Sequence, residues 1–516
     1  MTGRIGIITP TFARGGNEEY AIALACHVRD RGAHVTVCLP DVDELRSVRR
    51  DLAAARIETS AFAASREMGC LNEGFLTVRD DLVHLLRRRA FDAVVLSLPW
   101  VEFGAPLLDA AAICDVQTLV VHQLVERSHR AIWSERQAYT WIRRQRQTWV
   151  AVSAHNRDRL CESLGWDKDA IEVVPNGVLR QIPDVSAEAR AAARASVRAE
   201  LGLPHDTQLV LTVGRLDHQK AYDVALDAAM PVVQRDRNVH YVWLGDGPLE
   251  DDLRREIARR GLDTNVHPLG RRTDVARFLL ASDLFVLPSR FEGLPFAALE
   301  ALQAGLPGVY SNIGPHAEIV HDGVEGLLVP VEDATVLAAA VEQLIAAPSL
   351  RASMSHAARE RAKAFSADAH FTKILDLLAR AGEHPERPNW PLPKDSPRRR
   401  IAIYGAGAGG RQALETAMPN DEVVAFLDRD RWRDGEPLCG RPVLEPSAVT
   451  TLDIDAVVIA SCYHEQMVET LVAAGYPADR IDVFHPVRPV DAGPHDKDDS
   501  VVATGLVPTA ALAART

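Results

Sequence analysis

Short runs of β-branched and aliphatic residues alternate along the chain with segments whose apolar residues recur at helical spacing. Before residue 160, five such runs predict strands, at residues 5–9, 34–39, 93–98, 118–122 and 149–153. A helical pattern at residues 187–201 precedes five more, at residues 209–214, 240–245, 265–269, 284–288 and 308–311. Apolar strands separated by helices are typical of parallel sheets with helices on both faces. The pattern therefore predicts an α/β fold with two consecutive units of similar size.

A turn signal, VPNG at residues 174–177, separates the two sets of strands and predicts an interdomain hinge. We therefore expect a first domain at residues 1–178 and a second at residues 179–365. Residues 351–381 are rich in Ala and Arg and are predicted to be helical, with a break near residue 365. The part after the break, residues 366–381, is expected to pack back on the first domain.

The rest of the chain differs in composition from these two units. Residues 382–399 are rich in proline and charge, which predicts a linker. A third, smaller α/β unit with about four strands is predicted at residues 400–487. Residues 488–516 lack sustained periodicity and are predicted to be a disordered tail.

Composition narrows the class of protein. The chain has 516 residues, too many for one core, with 47% hydrophobic and 25% charged residues. Its net charge of −13 argues against nucleic acid as a partner. Seven cysteines without a C-x-x-C pair indicate buried thiols in a reducing compartment. The first strand begins near residue 4 and no apolar run reaches membrane-spanning length, so we expect a cytoplasmic protein, at most peripheral at the inner face of the membrane.

Two carboxylates eight residues apart give the strongest chemical signal: Glu292 in a Gly/Pro loop and Glu300 on a predicted helix. Pro295 suits the start of that helix and Gly305 its end, which predicts about three turns. Glu300 would then lie roughly 8 Å beyond Pro295, about the size of a nucleoside. A ligand across this helix start could contact both carboxylates. The alternative is one capping and one solvated glutamate.

Three further segments suit parts of a nucleotide diphosphate-sugar. Gly15 and Gly16 precede a helix, where backbone N–H groups can approach an anion, although a tight turn is the alternative. Arg215 and Lys220 follow a strand at the sheet edge where this architecture binds ligands, and their charges suit a departing diphosphate. A solvated basic pair is the alternative there. Gly245, at the end of the next strand, allows close approach of a ligand.

Taken together, these motifs resemble the retaining glycosyltransferases of family four, which have the two-domain GT-B fold. The similarity covers residues 1–381. The matching segments are GGNE at 15–18, VPNGV at 174–178, GRLDHQK at 214–220, GDGP at 245–248, the E-x7-E motif at 292–300 and GPHAE at 314–318. Ala221 stands where the family usually has glycine, and Gly308 where valine is common. Neither departure removes a charged group.

The resemblance implies a role for each matching residue. Arg215 and Lys220 would hold the donor diphosphate, Glu292 the sugar hydroxyls and Glu300 the ribose. His122, at a strand end, matches a family histidine near the donor sugar and the acceptor, although a lone strand-end histidine is more often structural. The implied catalytic set is therefore His122, Glu292, Arg215 and Lys220. The implied donor-binding set is Gly15, Gly16, Gly245, Leu294, Pro295, Phe296 and Glu300.

The resemblance also implies two facing Rossmann-like domains, the first on the acceptor side and the second on the donor side. The enzyme would transfer a sugar with retention, without a metal or other cofactor, to a glycan or lipid-linked acceptor in polysaccharide or glycoconjugate biosynthesis. We take a UDP-sugar as the donor because UDP is the commonest carrier, with a GDP-sugar as the alternative. Asp-x-Asp pairs at 41–43, 428–430 and 453–455 fall outside the cleft motifs, so we do not assign them to a metal. The rival functions are a phosphorylase, a 2-epimerase, or a catalytically silent scaffold that binds nucleotide sugars.

The third unit carries a separate glycine pattern, G-x-G-x-x-G at Gly405, Gly407 and Gly410, between a predicted strand and a predicted helix. Asp428 follows the next strand, where a Rossmann fingerprint places a ribose-binding carboxylate. The unit is too small for a full dinucleotide site and resembles the sugar-nucleotide-binding Rossmann units found beside sugar acyltransferases. We favour nucleotide or sugar-nucleotide binding, or a degenerate docking domain, over an oxidoreductase. A glycine turn kept for packing is the alternative.

Aromatic and basic residues alternate before the fifth strand of the first unit. They are Trp133, Arg136, Tyr139, Trp141, Arg143, Arg144, Arg146 and Trp149. With Arg87, Arg88 and Arg89 they could form a basic face for anionic lipid headgroups. A solvated helix face with the tryptophans packed inward is the preferred interpretation.

Overall fold

The computed structural model describes twelve stretches of the chain. They are residues 3–63, 73–99, 104–124, 147–182, 185–380, 400–406, 422–429, 437–438, 440–460, 464–477, 480–484 and 507–508. The predicted linker lies outside them, as do Gly407, Gly410 and the aromatic and basic residues from Trp133 to Arg146.

The first unit is a parallel sheet in the order β3-β2-β1-β4-β5-β6-β7. Its strands are β1 Arg4–Ile8, β2 His34–Pro40, β3 Glu58–Phe62, β4 Ala93–Leu98, β5 Gln117–His122, β6 Gln147–Ala151 and β7 Glu172–Val173. Its helices are α1 Gly16–Asp30, α2 Arg46–Ala54, α3 Glu73–Arg89, α4 Ala105–Ile113 and α5 Ala154–Leu164. The apolar pattern misses β3, an edge strand with polar residues, and β7, which has only two residues.

The second unit is a parallel sheet in the order β10-β9-β8-β11-β12-β13. Its strands are β8 Gln208–Val213, β9 Val239–Leu244, β10 Val266–Pro268, β11 Leu284–Leu287, β12 Gly308–Ser311 and β13 Gly326–Val329. The helices of this region are α6 Ala187–Leu201, α7 Tyr222–Arg235, α8 Glu250–Arg259, α9 Val275–Ala281, α10 Phe296–Gln303, α11 Gly314–Ala317, α12 Ala334–Ala346, α13 Pro348–Ala362 and α14 Ala367–Arg380. In both sheets the central strands are buried, as strands covered on two faces must be. The α/β class predicted from the pattern is confirmed.

Helix α10 is shorter than the predicted three turns. Its eight residues make just over two turns, because Pro295 lies at the N-cap with an extended ψ of 121° rather than inside the helix. At the other end Ala304 is the C-cap, and Gly305 adopts a left-handed φ of +61° that ends the helix. Glu300 still lies in the middle of the helix, so the spacing of the two glutamates is kept.

The last helix of this region, α14, lies against the first unit. His370 donates from Nδ1 to the Pro175 carbonyl at 2.7 Å, and its Nε2 lies 3.1 Å from the Tyr20 hydroxyl. A Cβ atom on Gly177 would lie 2.4 Å from the Ala367 Cα, so the backbones approach closely where the helix begins. The break between α13 and α14 falls at the predicted place.

The third unit is a sheet in the order β16-β15-β14-β17-β18-β19, parallel except for the antiparallel pair β18–β19. Its strands are β14 Arg400–Tyr404, β15 Glu422–Leu427, β16 Val443–Leu444, β17 Ala456–Ala460, β18 Ile481–Phe484 and β19 Val507–Pro508, and its helix is α15 His464–Ala473. The expected number of about four strands was too low, because β16 and β19 have two residues each and leave no apolar pattern. Strand β19 falls within the tail that was predicted to be disordered.

Four residues of the aromatic and basic set lie within the described part of the chain: Arg87, Arg88, Arg89 and Trp149. Trp149 is buried and its ring packs edge-on against Trp166 at 4.8 Å. Arg89 forms an ion pair with Glu58, whereas Arg87 and Arg88 are exposed. Among the described helices, none combines the length and the apolar character that crossing a membrane requires.

Candidate active site

A cavity of about 850 Å³ lies between the first two units. Both sheets contribute the ends of their strands to its wall, and the segment between the units contributes Asn176 and Arg180. It brings together most of the residues singled out in the sequence: Gly15, Gly16, Arg215, Lys220, Gly245, Glu292, Leu294, Pro295, Phe296 and Glu300. His122 is not among the residues of the wall.

The centre of the second-unit wall is an ion pair between Lys220 and Glu292. The Glu292 carboxylate is 5% exposed and accepts hydrogen bonds from Lys220 Nζ at 2.5 Å and from Ser289 Oγ at 2.7 Å. Gln219 Nε2 donates to its other oxygen at 3.1 Å. Three donors from two loops fix this carboxylate, which offsets the cost of burying its charge. Lys220 and Glu292 therefore face the cavity in a defined geometry.

Arg215 is more accessible than Lys220. Its side chain is 46% exposed, and Nε lies 3.3 Å from an Asp217 carboxylate oxygen. Asp217 also caps the short 3-10 turn His218–Lys220 by accepting from the Lys220 amide. One carboxylate thus contacts the Arg215 side chain and fixes the backbone at Lys220, at the end of β8 where an anionic ligand could contact both cations.

Glu300 is 1% exposed, and its carboxylate is bound by an arginine that the sequence did not single out. Arg180 Nη1 lies 3.2 and 3.1 Å from the two carboxylate oxygens. Burial raises the pKa of Glu300 to about 7, and the charge of Arg180 opposes this rise. Arg180 lies just after the 174–177 turn, but its pairing depends on tertiary contacts that no local pattern reveals.

The glycine pair at the start of α1 also contacts a carboxylate. The Gly15 amide donates to Glu18 Oε2 at 2.6 Å, so this N–H is bonded within the loop. Glu18 is buried, accepts from the Thr11 hydroxyl and has its pKa raised to about 7 by burial. A Cβ atom on Gly16 would lie 3.2 Å from the Phe296 ring of the second unit. Glycine at position 16 therefore permits close approach of the two units.

A second close approach involves Gly245. Its φ is +149°, and a Cβ atom there would lie 1.9 Å from the Gly214 carbonyl oxygen. The loop after β9 can approach the Gly214 backbone this closely because Gly245 has no side chain. The loops that carry Arg215 and line the cavity thus depend on glycine at position 245.

His122 lies at the carboxyl end of β5 and is not among the residues that line the cavity. It is fully buried, and its ring stacks on Trp149 with centroids 5.0 Å apart. The next residue, Gln123, lines the cavity. The cavity wall groups the other predicted catalytic residues, whereas His122 is not part of it.

The two units also contact each other through backbone groups. Asn176 Nδ2 donates to the Leu294 carbonyl at 3.1 Å and to Gln123 Oε1 at 3.2 Å. Glu318, from the second unit, accepts from the backbone amides of Ala154 and His155 at 2.9 and 2.7 Å. This carboxylate therefore caps helix α5 of the first unit, where the helix dipole favours negative charge.

In the third unit, Gly405 and Asp428 lie next to each other at the ends of β14 and β15. Gly405 has a φ of +116°, and the following amide, of Ala406, donates to Asp428 Oδ2 at 2.9 Å. Within the described residues, no group of three or more His, Cys, Asp or Glu side chains is arranged to hold a metal ion.

Comparison with protein families assigns the three units separately. Residues 14–179 match the family described as Glycosyltransferase Family 4, and residues 193–361 match Glycosyl transferases group 1. Together these matches span most of the first two units. Residues 397–482 match a family described as C2185-like, N-terminal.

Proteins similar to this chain in sequence are also glycosyltransferases. Alpha-D-kanosaminyltransferase of Streptomyces kanamyceticus is 34% identical over 34% of this chain and 45% of its own. UDP-Gal:alpha-D-GlcNAc-diphosphoundecaprenol alpha-1,3-galactosyltransferase of Escherichia coli is 32% identical over 39% of this chain and 52% of its own. The matched part spans about half the length of these relatives.

A solved structure extends the similarity to both units. The crystal structure of Anabaena Alr3699/HepE in complex with UDP and glucose has a TM-score of 0.60 and 21% identity. It covers 73% of this chain and 99% of the solved one. At that level of identity the likeness is one of fold, and it confirms the two-domain GT-B architecture.

Proposed function

The chain belongs to the glycosyltransferases of family four, and from this premise we propose that it transfers a sugar from a nucleotide diphosphate-sugar to a glycan or lipid-linked acceptor. The observation that carries the proposal is the cavity wall, which combines the Lys220–Glu292 pair with Arg215 and the buried Glu300. A surface ion pair would not need three hydrogen-bond donors on one buried carboxylate. A retired scaffold has no physical need to keep this set.

We assign the donor by the chemistry of each group. Arg215 and Lys220 bind the diphosphate, with backbone amides around Gly16 and from Leu294 to Phe296 beside them. Glu292 accepts hydrogen bonds from the sugar hydroxyls, and Glu300 accepts them from the ribose. His122 acts near the donor sugar and the acceptor. A lower kcat for His122→Ala without a change in thermal stability would support that role.

The proposed reaction depends on stabilising the negative charge that develops on the departing diphosphate. The bond between the anomeric carbon and the phosphate oxygen breaks, its electron pair goes to the diphosphate, and the sugar becomes oxocarbenium-like. Arg215 and Lys220 stabilise the developing negative charge once closure of the two units has excluded water from the cavity. The acceptor hydroxyl forms the new bond on the same face of the sugar, and its proton leaves with the diphosphate. Closure of the two units about residues 174–177 brings the donor and the acceptor together.

The donor and acceptor classes are narrower proposals. We take UDP as the carrier because a structural neighbour was solved with UDP and glucose, with GDP as the alternative. A lipid-linked acceptor fits the diphosphoundecaprenol substrate in the name of the Escherichia coli relative. Such an acceptor would place the protein at the inner face of a membrane, reached through exposed residues such as Arg87 and Arg88.

The third unit is proposed to bind a nucleotide or nucleotide sugar of its own. Support comes from the Asp428 carboxylate at the end of β15, beside the positive-φ Gly405. For the organisation of the chain we keep domains at residues 1–178, 179–365 and 400–487, with a linker at 382–399.

The decisive assay measures nucleoside diphosphate released from UDP-, GDP-, ADP- and dTDP-sugars, with EDTA present. We expect release from one donor by the wild type and loss of release in Glu292→Ala. Glu360→Ala is the matched control, because Glu360 is an exposed residue of helix α13 that, within the described part of the chain, pairs only with nearby Lys363. Equal release by Glu292→Ala and the wild type would refute the assignment of this cavity.

A further inference from the structure

Within the described part of the chain, the cation that contacts the buried glutamate of α10 is Arg180. It lines the cavity and is about one-third exposed. Both oxygens of the Glu300 carboxylate lie within 3.2 Å of its Nη1 atom. On its other side, Arg180 Nη2 lies 4.0 Å from Glu19 Oε1 of the first unit. Arg180 is therefore placed by carboxylates of both units.

Glu300 depends on such a partner. It is enclosed in α10 with 1% of its surface exposed, and an isolated carboxylate there would be costly to ionise. The second charged group that faces it is Glu19, whose like charge raises the pKa of Glu300 further. Glu19 is itself bound by Arg14 Nε and Arg271 Nη2, each at 2.9 Å. Arg180 is therefore the group that lowers the pKa of Glu300 towards its ordinary value.

The geometry also leaves room for a ligand on Glu300. A carboxylate has about four lone-pair sites, and Arg180, through Nη1 and its backbone amide, uses only some of them. The remaining sites can accept hydrogen bonds from two vicinal hydroxyls. Glu300 lies on the cavity wall, so such hydroxyls could reach it from the donor side.

We propose that Arg180 is a positioning residue for nucleotide binding, which fixes the Glu300 carboxylate so that it accepts hydrogen bonds from the two ribose hydroxyls of the donor. This inference rests on the proposed function. Arg180 acts through Glu300 and does not contact the diphosphate. Its contribution to affinity therefore depends on the ribose hydroxyls being present.

That dependence separates the proposed role from a merely structural one. The probes are UDP and 2′,3′-dideoxy-UDP, titrated calorimetrically into the full-length wild type, Arg180→Met and Arg180→Lys. We expect Arg180→Met to weaken UDP binding by about tenfold, the cost of losing one charge-assisted hydrogen bond. Binding of dideoxy-UDP should change by less than about twofold, within the scatter of such measurements. Arg180→Lys should restore part of the loss.

Two controls complete the design. Arg235→Met removes an exposed arginine on α7 that pairs with Glu342, and it should bind both ligands like the wild type. Glu300→Gln, like Arg180→Met, should weaken binding of UDP more than binding of dideoxy-UDP. Equal weakening of both ligands by Arg180→Met, or no weakening of UDP, would overturn the inference while leaving the proposed function intact. A wild type that binds none of UDP, GDP, ADP or dTDP would overturn the proposed function itself.

The pH dependence gives a second readout. Because Glu300 must be ionised to accept both hydrogen bonds, wild-type affinity for UDP should fall as the pH drops below about 7. In Arg180→Met the midpoint of this fall in UDP affinity should move to higher pH, since the positive charge that lowers the pKa of Glu300 is lost. An unchanged midpoint would contradict the proposed role of Arg180.

Discussion

Among single residues, Glu18 and Glu300 share one property: each is a buried carboxyl on the cavity wall whose pKa is raised to about 7. A raised pKa means that the folded state favours the protonated carboxyl. The contribution of each carboxyl to stability is therefore fully present at pH values below its ordinary pKa of 4.5. That contribution is lost as the pH rises through the folded-state value. Ionisation of these two carboxyls therefore destabilises the folded protein, and a bound ligand or a counter-ion must offset that cost.

Glu18 offers the cleaner test because its partners lie within one loop. Replacing it by glutamine keeps the shape but removes the titration, so the stability of Glu18→Gln relative to the wild type should increase between pH 5 and pH 8. A shift from 4.5 to about 7 makes this increase on the order of 2 kcal/mol. Urea unfolding at both pH values measures it, and Glu360→Gln, at an exposed site, is the control. A difference between Glu18→Gln and the wild type that does not grow with pH would contradict the burial argument.

Among elements, helix α5 shows how the two units are joined. Its first turn is capped from its own unit by Ser153, whose hydroxyl accepts from the Asn156 amide at 3.0 Å, and from the other unit by Glu318. A Cβ atom on Gly314, at the start of α11, would lie 2.2 Å from His155 Nδ1, so the contact is close. The cap therefore links the stability of one helix to the relative position of the units.

Removing either cap should cost about 1 kcal/mol of stability, the usual cost of an N-cap. Only Glu318→Ala should also slow transfer, because it alone removes a contact between the units. Ser153→Ala is the matched control, since it removes a cap from the same helix end. Steady-state rates and urea unfolding of both variants measure the two effects. Equal transfer rates in the two variants would show that the Glu318 contact does not contribute to closure.

The helices and strands also show where sequence patterns are sufficient to predict an element and its ends. Long apolar strands such as β4 and β9 were predicted within a residue, because both of their faces are buried and all but one position in each strand is apolar. The polar edge strand β3 and the two-residue strands β7, β16 and β19 were not, since pairing at a sheet edge leaves no such pattern. Helix α10 was predicted too long because Pro295 precedes it instead of occupying its first turn.

At the scale of the whole molecule, the α/β fold and most of the cavity wall could be predicted from the sequence. Glu292, Glu300, Arg215 and Lys220 stand in ordered motifs whose chemistry suits a nucleotide sugar. Arg180 and Glu318 act through partners more than 100 residues away, and no local spacing reveals such pairs. His122 shows the opposite limit, because its motif position did not reveal that its ring is fully buried against Trp149 and is not part of the cavity wall.

The most direct test of the account compares turnover of the preferred nucleotide sugar by the wild type, Lys220→Met and Lys363→Met. Both variants remove one lysine charge, but Lys363 is an exposed residue on the surface, paired with Glu360. Loss of one electrostatic stabiliser of the leaving diphosphate should lower kcat by roughly 100-fold or more. We therefore predict this loss for Lys220→Met and wild-type turnover for Lys363→Met. Turnover by Lys220→Met equal to that of Lys363→Met would contradict the assignment of this cavity as the site of sugar transfer.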